Sequence, residues 1–325
     1  CLVWKNETDI GENDLTTDGW TVLEEDPFLY LIIDGEGIQL ELINNTINVD
    51  TLPRSFSAVA WNWTSSIKNQ GYSGGCWCFS TISVIESGLL KSTGVLYDFS
   101  EQNMHKLMLK YSKYGDKNFV EGGLTTTAIM YALSWLGPIN DEDDPFDMIG
   151  KFTRLIPGKN IHVQDVILIP SREASGKVPY DIEYIKQAIL KCGAVTADFY
   201  VDENEPYFNV NTSAFYYNET DKESEDGGII GVHPTHAVSI VGWDDDYSAS
   251  NFIITPPGNG AWIIKNSWGT EWGEEGYGYI SYYDTSCPPN SYFLGTSVII
   301  FNSTIKYEKN YQYDQAQNDF INTQN

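Results

Sequence analysis

Basic residues are scarce. The 325-residue chain carries 19 Lys and Arg against 45 Asp and Glu, a formal net charge of −26. A surface of that sign repels phosphate backbones, so nucleic acid is excluded as an expected partner. Long apolar runs are also missing: no stretch reaches the roughly 18 uninterrupted apolar residues of a membrane helix, and no membrane span is expected. Cysteines are few. Cys1, Cys76, Cys78, Cys192 and Cys287 are too scattered for a disulfide framework, and the odd count leaves at least one thiol without an internal partner. Cys192 and Cys287 are the pair for which a bridge is left open. Of four histidines, only His233 and His236 are close together, and they lack a third ligand, so neither a metal site nor a cofactor is expected. His105, His162 and His233 read as surface or loop residues. There are no internal repeats and no low-complexity tract.

What is present suffices for a large core, with 42% hydrophobic and 14% aromatic residues. Sequons at Asn6, Asn44, Asn62, Asn211, Asn218 and Asn302 fit a secreted or cell-surface glycoprotein. The chain opens at Cys1 without an initiator Met or a leader, so a processed or excised piece is expected. A monomer is expected.

Residues 1–50 hold two apolar runs, 28–33 and 38–43, around a Gly-containing turn, which reads as a β-rich N-terminal extension closed by Leu52-Pro53. Apolar residues then recur at helical spacing from Cys76 to Thr93, with Gly94 as the stop. Ser100 caps a second helix bearing Leu107, a third runs from Thr125 to Leu136, and a fourth from Pro179 to Lys191. Strands follow at Ala194–Val201, Ala237–Trp243, Gly260–Asn266 and Tyr277–Tyr283. Helices first and antiparallel strands second argue an α+β fold, with a cleft where the halves meet. Acid clusters at Asp141–Asp147 and Asp221–Asp226 read as solvated loops; if they border the cleft, they favour basic peptides.

Three segments carry chemistry. Asn69-Gln-Gly-Tyr-Ser-Gly-Gly-Cys76 runs glycine-rich backbone into a helix whose first residue is a thiol. The positive end of the helix dipole lowers a thiol pKa toward the nucleophilic thiolate, and unpaired N–H groups there suit an oxyanion, with Gln70 as a further donor. A lone helical cysteine is more often a core residue. His236, however, heads the apolar strand His-Ala-Val-Ser-Ile-Val, and Asn266 closes another strand before Ser-Trp-Gly. An asparagine oxygen can accept from the far imidazole N–H and fix the ring, as in a Cys/His/Asn triad.

These segments together resemble the papain-like cysteine peptidases of family C1A, over about residue 50 to residue 300. Lys265-Asn-Ser-Trp-Gly-x-x-Trp-Gly-x-x-Gly-Tyr277 is the most specific match. The resemblance implies a two-lobed fold, a helical lobe followed by a β-barrel-like lobe with the active site between them. It implies a cysteine endopeptidase acting on polypeptides through a thioester: Cys76 as nucleophile, His236 as base and acid, Asn266 as the orienting residue and Gln70 in the oxyanion hole. Gly122 and Gly123 line the substrate cleft, Trp268 shields the Asn266–His236 bond, and Leu124, Thr125 and Ala237 line a side-chain pocket. Ser73 stands where the family carries a cysteine, so the customary disulfides of the helical half are expected to be absent. Cys76 and His236 lie 160 residues apart, beyond the roughly 130–150 usual in the family, which implies loop insertions. Gly295-Thr-Ser-Val-Ile-Ile-Phe-Asn with Tyr311-Gln-Tyr-Asp is similar to microbial surface peptidases that carry a lectin-like domain, so residues 51–300 are expected to form the peptidase domain and 301–325 the start of such a module or a tail. A surface-binding or adhesion protein on the same scaffold and a glutaminase- or transglutaminase-like acyl transferase are the alternatives.

Overall fold

In a computed structural model of the chain, the structure describes residues 52–109, 118–147, 161–169, 182–201, 206–219 and 234–288, with the shorter pieces 2–4, 20–22, 153, 155–156, 222–223, 229–230 and 295–300. The runs 28–33 and 38–43, His233 and most of 221–226 lie outside the described residues. In chain order the elements are β1 (Leu2–Trp4), β2 (Trp20–Val22), β3 (Ser55–Ser57), α1 (Cys76–Thr93), α2 (Glu101–Leu107), α3 (Thr125–Leu133), β4 (Val163–Ile169), α4 (Ile182–Cys192), β5 (Val195–Phe199), β6 (Phe208–Asn209), β7 (Ala214–Phe215), β8 (Lys222–Glu223), β9 (Ile229–Ile230), β10 (His236–Asp244), β11 (Ala261–Lys265), β12 (Tyr277–Ser281) and β13 (Gly295–Ile300). Helices dominate the first half and strands the second, so the expected α+β class is the one observed.

The helices start and stop where local chemistry says they should. Gly94 ends α1 in the left-handed region, φ 69°, which a Cβ would disfavour, and returns its N–H to Leu90. Ser100 caps α2 by accepting from the Asn103 N–H at 2.9 Å. The third helix is three residues shorter than its apolar pattern suggests, because Trp135 takes a φ of 57° ahead of Gly137-Pro138.

The main sheet runs β4-β13-β5-β10-β11-β12-β7-β6, an open path rather than a closed barrel, and β3 joins β10 beyond the end of β5. Among the pairs of the described residues in this sheet, β12 and β7 alone run parallel. The buried α1 lies against β10, β5 and β13, with Ile82, Val84, Ile85 and Leu89 fully enclosed. Fully burying such a side chain contributes about 1.5–3 kcal/mol.

One buried group in this core is ionic. Glu86 on α1 accepts from the Phe99 N–H at 2.8 Å and from the Ser65 hydroxyl, which in turn accepts from Lys265 Nζ at 2.7 Å. Lys68 lies 3.0 Å from Glu101 and 2.6 Å from Asp98. Burial pushes Glu101 up to about 8 and Lys265 down to about 8, each toward its neutral form, and the opposite charges beside them pull the other way. A cavity of about 20 Å³, room for one water, lies between this cluster and β10.

Among the described residues the bridge left open between Cys192 and Cys287 is not formed, and Cys76 and Cys78 carry free thiols, so the helical half stands without the customary disulfides. Ser73 instead donates its hydroxyl to the Gln70 carbonyl at 2.9 Å.

Two outcomes are expected. Mild reduction leaves the melting temperature unchanged; a large drop contradicts a core held without bridges. Glu86→Ala, which strands the buried Phe99 N–H and the Ser65 hydroxyl and removes a countercharge of Lys68 and Lys265, costs about 3–5 kcal/mol in urea unfolding; a loss within experimental error contradicts the cluster's role.

Candidate active site

The N-terminus of α1 has no side-chain cap and no acidic residue in its first turn. The N–H groups of Cys78 and Phe79 bond to the Gly75 carbonyl, at 2.8 and 3.1 Å. Those of Cys76 and Trp77, with the N–H of Ala237 from β10, lie near enough to the Cys76 sulfur to favour its thiolate. Cys76 is partly exposed, whereas Cys78 is fully buried. Two residues turn an α-helix by about 200°, which sends these two thiols to opposite faces. Trp77 packs so tightly over Gly123 that a Cβ there would overlap the indole, and this contact fixes Gly123 against the residue that follows Cys76.

Hydrogen bonds one turn further along hold α1 to β10. Ser80 donates to the Val238 carbonyl at 2.7 Å, and Ser239 donates to the Ser80 carbonyl at 3.1 Å. His236 opens β10, with its Nε2 2.8 Å from Asn266 Oδ1. That oxygen can only accept, so Nε2 carries the proton and Nδ1 is the basic position. Asn266 Oδ1 also accepts from the Ser267 N–H at 2.8 Å, which sets the amide's orientation. Trp268 lies against the imidazole, ring centroids 4.5 Å apart, and Trp272 backs Trp268 edge-on. Both triad side chains are buried, His236 at 7% exposure and Asn266 at 3%.

Gln70 is fixed on both sides of its amide. Its Nε2 donates to the Ser73 carbonyl at 2.9 Å, and its Oε1 accepts from Ser267 Oγ at 2.6 Å. An amide nitrogen has two N–H groups, so a second donor remains. The Gln70 N–H donates to the Ser267 carbonyl at 2.8 Å and the Gly269 N–H to the Lys68 carbonyl at 3.0 Å, lacing this loop to the Asn266–Trp268 segment.

The electrostatics correct one expectation. Burial outweighs the helix dipole and pushes the Cys76 thiol up to about 11, although the three N–H groups pull it down. Burial likewise lowers His236 to about 4, opposed by its bond to Asn266. Burial thus favours the neutral thiol and the neutral imidazole.

Two other expectations change, while His162, half-buried in the loop before β4, sits where it was expected. His105 is not a surface residue: it is buried in α2, stacked on Phe119 at 5.1 Å and edge-on to Trp77 at 5.8 Å, and burial lowers it to about 4. His162 stacks on Trp135 at 4.4 Å. The first acid cluster is not wholly solvated, since Asp144 is buried and accepts from Asn103 Nδ2 at 3.1 Å and from Thr153. Sequence reasoning missed Asp198. It sits on β5 directly opposite Ala237, and both its carboxylate oxygens accept from Thr125 Oγ1, at 3.1 and 3.2 Å. Its position in an apolar strand is the signal that could have found it.

Residues 52–297 match the pattern of the papain family of cysteine proteases. Cathepsin K of Gallus gallus is 30% identical over 244 residues, which cover 72% of this chain and 61% of its own. Testin-2 of Mus musculus is 30% identical over 216 residues, 66% of this chain and 56% of its own. Among solved structures, the cysteine protease and lectin-like domains of Cwp84, a surface layer associated protein of Clostridium difficile, superpose with a TM-score of 0.61 at 27% identity, covering 78% of this chain and 53% of that one. The chain thus spans rather more than half the length of the relatives it matches. The matched segment takes in the Cys76 helix, the His236 strand and the Asn266–Tyr277 run, and the chain belongs to the papain family of cysteine proteases.

Proposed function

We propose that this protein is a cysteine endopeptidase, secreted or held at the cell surface, that hydrolyses polypeptides through a thioester on Cys76. The observation that carries the reading is the buried 2.8 Å bond between His236 Nε2 and Asn266 Oδ1. It leaves Nδ1 as the base on a ring whose chain neighbour, Ala237, has its N–H near enough to the Cys76 sulfur to favour the thiolate. In the first step Nδ1 takes the thiol proton as sulfur attacks the peptide carbonyl. Because burial holds both groups neutral, proton transfer and attack are coupled. The oxyanion forms beside the Cys76 N–H and the second N–H of Gln70. Collapse expels the amine, which leaves with the proton from His236. Water then attacks the thioester with His236 again as base, releasing the acid and restoring the thiol. Trp268 keeps water from the His236–Asn266 bond, and the Gly122-Gly123 strip offers backbone to an extended substrate.

The family membership and the surface protein Cwp84 support this reading. We take residues 51–300 as the peptidase domain, 1–50 as an extension before it, and 301–325 as the start of a lectin-like module or tail, with surface attachment as the consequence. A pure binding or adhesion protein has no use for a thiol, an imidazole and an amide held in this relation.

Graded losses test the roles. Cys76→Ala abolishes turnover. Gln70→Ala lowers kcat by about 10²-fold, as loss of one oxyanion donor does. Asn266→Ala is milder than His236→Ala, because it orients the base without moving the proton. Equal losses for those two variants, in folded protein, contradict the division of roles.

The pH profile tests the electrostatics. Burial lowers His236 to about 4, and the Asn266 acceptor raises it. The unprotonated base is present above that value, so kcat/KM falls as pH drops through about 4. Asn266→Ala removes the raising contribution, so its acid limb moves to lower pH. A limb at the ordinary histidine value of about 6.5, or one that moves upward in the variant, contradicts the burial account.

A further inference from the structure

Asp198 is a titratable group beside the reacting sulfur that the proposed chemistry does not use. Its backbone pairs with Ala237, whose N–H contacts Cys76, and the carboxylate is close enough to oppose thiolate formation. The residue is half-buried and so keeps some exposure to solvent. The carboxylate accepts from one hydroxyl, that of Thr125. Thr125 opens α3 directly after the Gly122-Gly123 strip and the exposed Leu124. Among the described residues no Lys or Arg pairs with Asp198.

Asp284 shows what a structural carboxylate looks like in this fold. It is wholly buried, and it accepts from the Tyr217 N–H at 2.8 Å and from the N–H and hydroxyl of Ser286 at 2.9 and 2.6 Å. An ionised carboxylate offers about four acceptor sites. Asp284 fills most of them within the fold, whereas among the described residues Asp198 accepts from Thr125 alone. Burial accordingly raises Asp198 to about 6, with only the Thr125 bond opposing. A partly buried anion of this kind gains most from a cation that arrives with its own hydrogen-bond donors.

We propose that Asp198, held by Thr125 and flanked by Ala237 and Leu124, is a specificity-determining residue that forms the floor of a subsite for a lysine or arginine side chain of the substrate. The subsite rests on the peptidase reading and names the substrate class that this site prefers. The cation pairs with the carboxylate while its aliphatic stem lies along Leu124 and Ala237. Neutral side chains of equal length leave the carboxylate unpaired and bind less well.

The test uses internally quenched peptides that differ by lysine or norleucine, which match in length, at each of three positions on either side of the cleaved bond. At one position the wild-type protein prefers lysine by about 10- to 100-fold in kcat/KM, the worth of one hydrogen bond to a charged group. In Asp198→Asn that ratio falls to about 1-fold. The change in Cys76 ionisation that accompanies loss of the carboxylate acts on both peptides alike and cancels in the ratio. Equal rates for lysine and norleucine at every position in the wild type overturn the proposal, and so does a lysine preference that persists in Asp198→Asn. Failure to cut any of the peptides overturns the peptidase reading and the subsite with it, an outcome distinct from efficient but indifferent cleavage.

Discussion

The site depends on one docking contact, the pair of hydrogen bonds between Ser80 and β10. Ser80 lies one helical turn beyond Cys76, on the same face of α1. Val238 lies two residues beyond His236, on the same face of the strand. The bonds Ser80 Oγ to Val238 O and Ser239 Oγ to Ser80 O therefore fix the helix against the strand one helical turn from Cys76 and two residues from His236. Each bond is worth only about 1 kcal/mol in stability. Their effect on chemistry is larger, because a displacement of about 1 Å between reacting groups costs about 10²-fold in rate.

Burial is the second constraint, and it works against the helix dipole. A thiol at a helix N-terminus in water would ionise more readily, but Cys76 lies between α1 and β10 and goes the other way, to about 11. His236 is driven to the neutral form by the same enclosure. The enclosure also makes the N–H groups at the sulfur and the Asn266 acceptor effective, since hydrogen bonds strengthen as the surroundings lose water. Behind the site, the Glu86, Lys68, Glu101 and Lys265 cluster sits within the same low-polarity wall, with Lys265 immediately before Asn266.

Much of the fold was legible where a local signal coincided with a tertiary role. α1 was readable because glycines run straight into an apolar repeat that ends at Gly94. The His236 and Asn266 strands were readable because each is short, apolar and bounded by turn residues. β4 was missed, since Val163–Ile169 shows no clean alternation and finds its partner β13 far along the chain. The short β6 and β7 carry too few residues for any pattern. The end of α3 depended on the φ of Trp135, which no propensity announces. His105 and Asp198 escaped for a common reason: a polar residue's surroundings are set by distant segments, Phe119 and Trp77 for the one and Thr125 for the other.

The central claim is that the Cys76 sulfur becomes covalently bonded to the substrate's acyl group. The direct measurement is rapid quench of the protein with an activated peptide ester at acid pH, followed by peptide mapping by mass spectrometry. The account predicts an acyl adduct on the peptide that contains Cys76 and Cys78, located on Cys76 by fragmentation, appearing within the first turnover and decaying as product forms. Product formation with no adduct at any time, or an adduct on Cys78 with Cys76 unmodified, would contradict it.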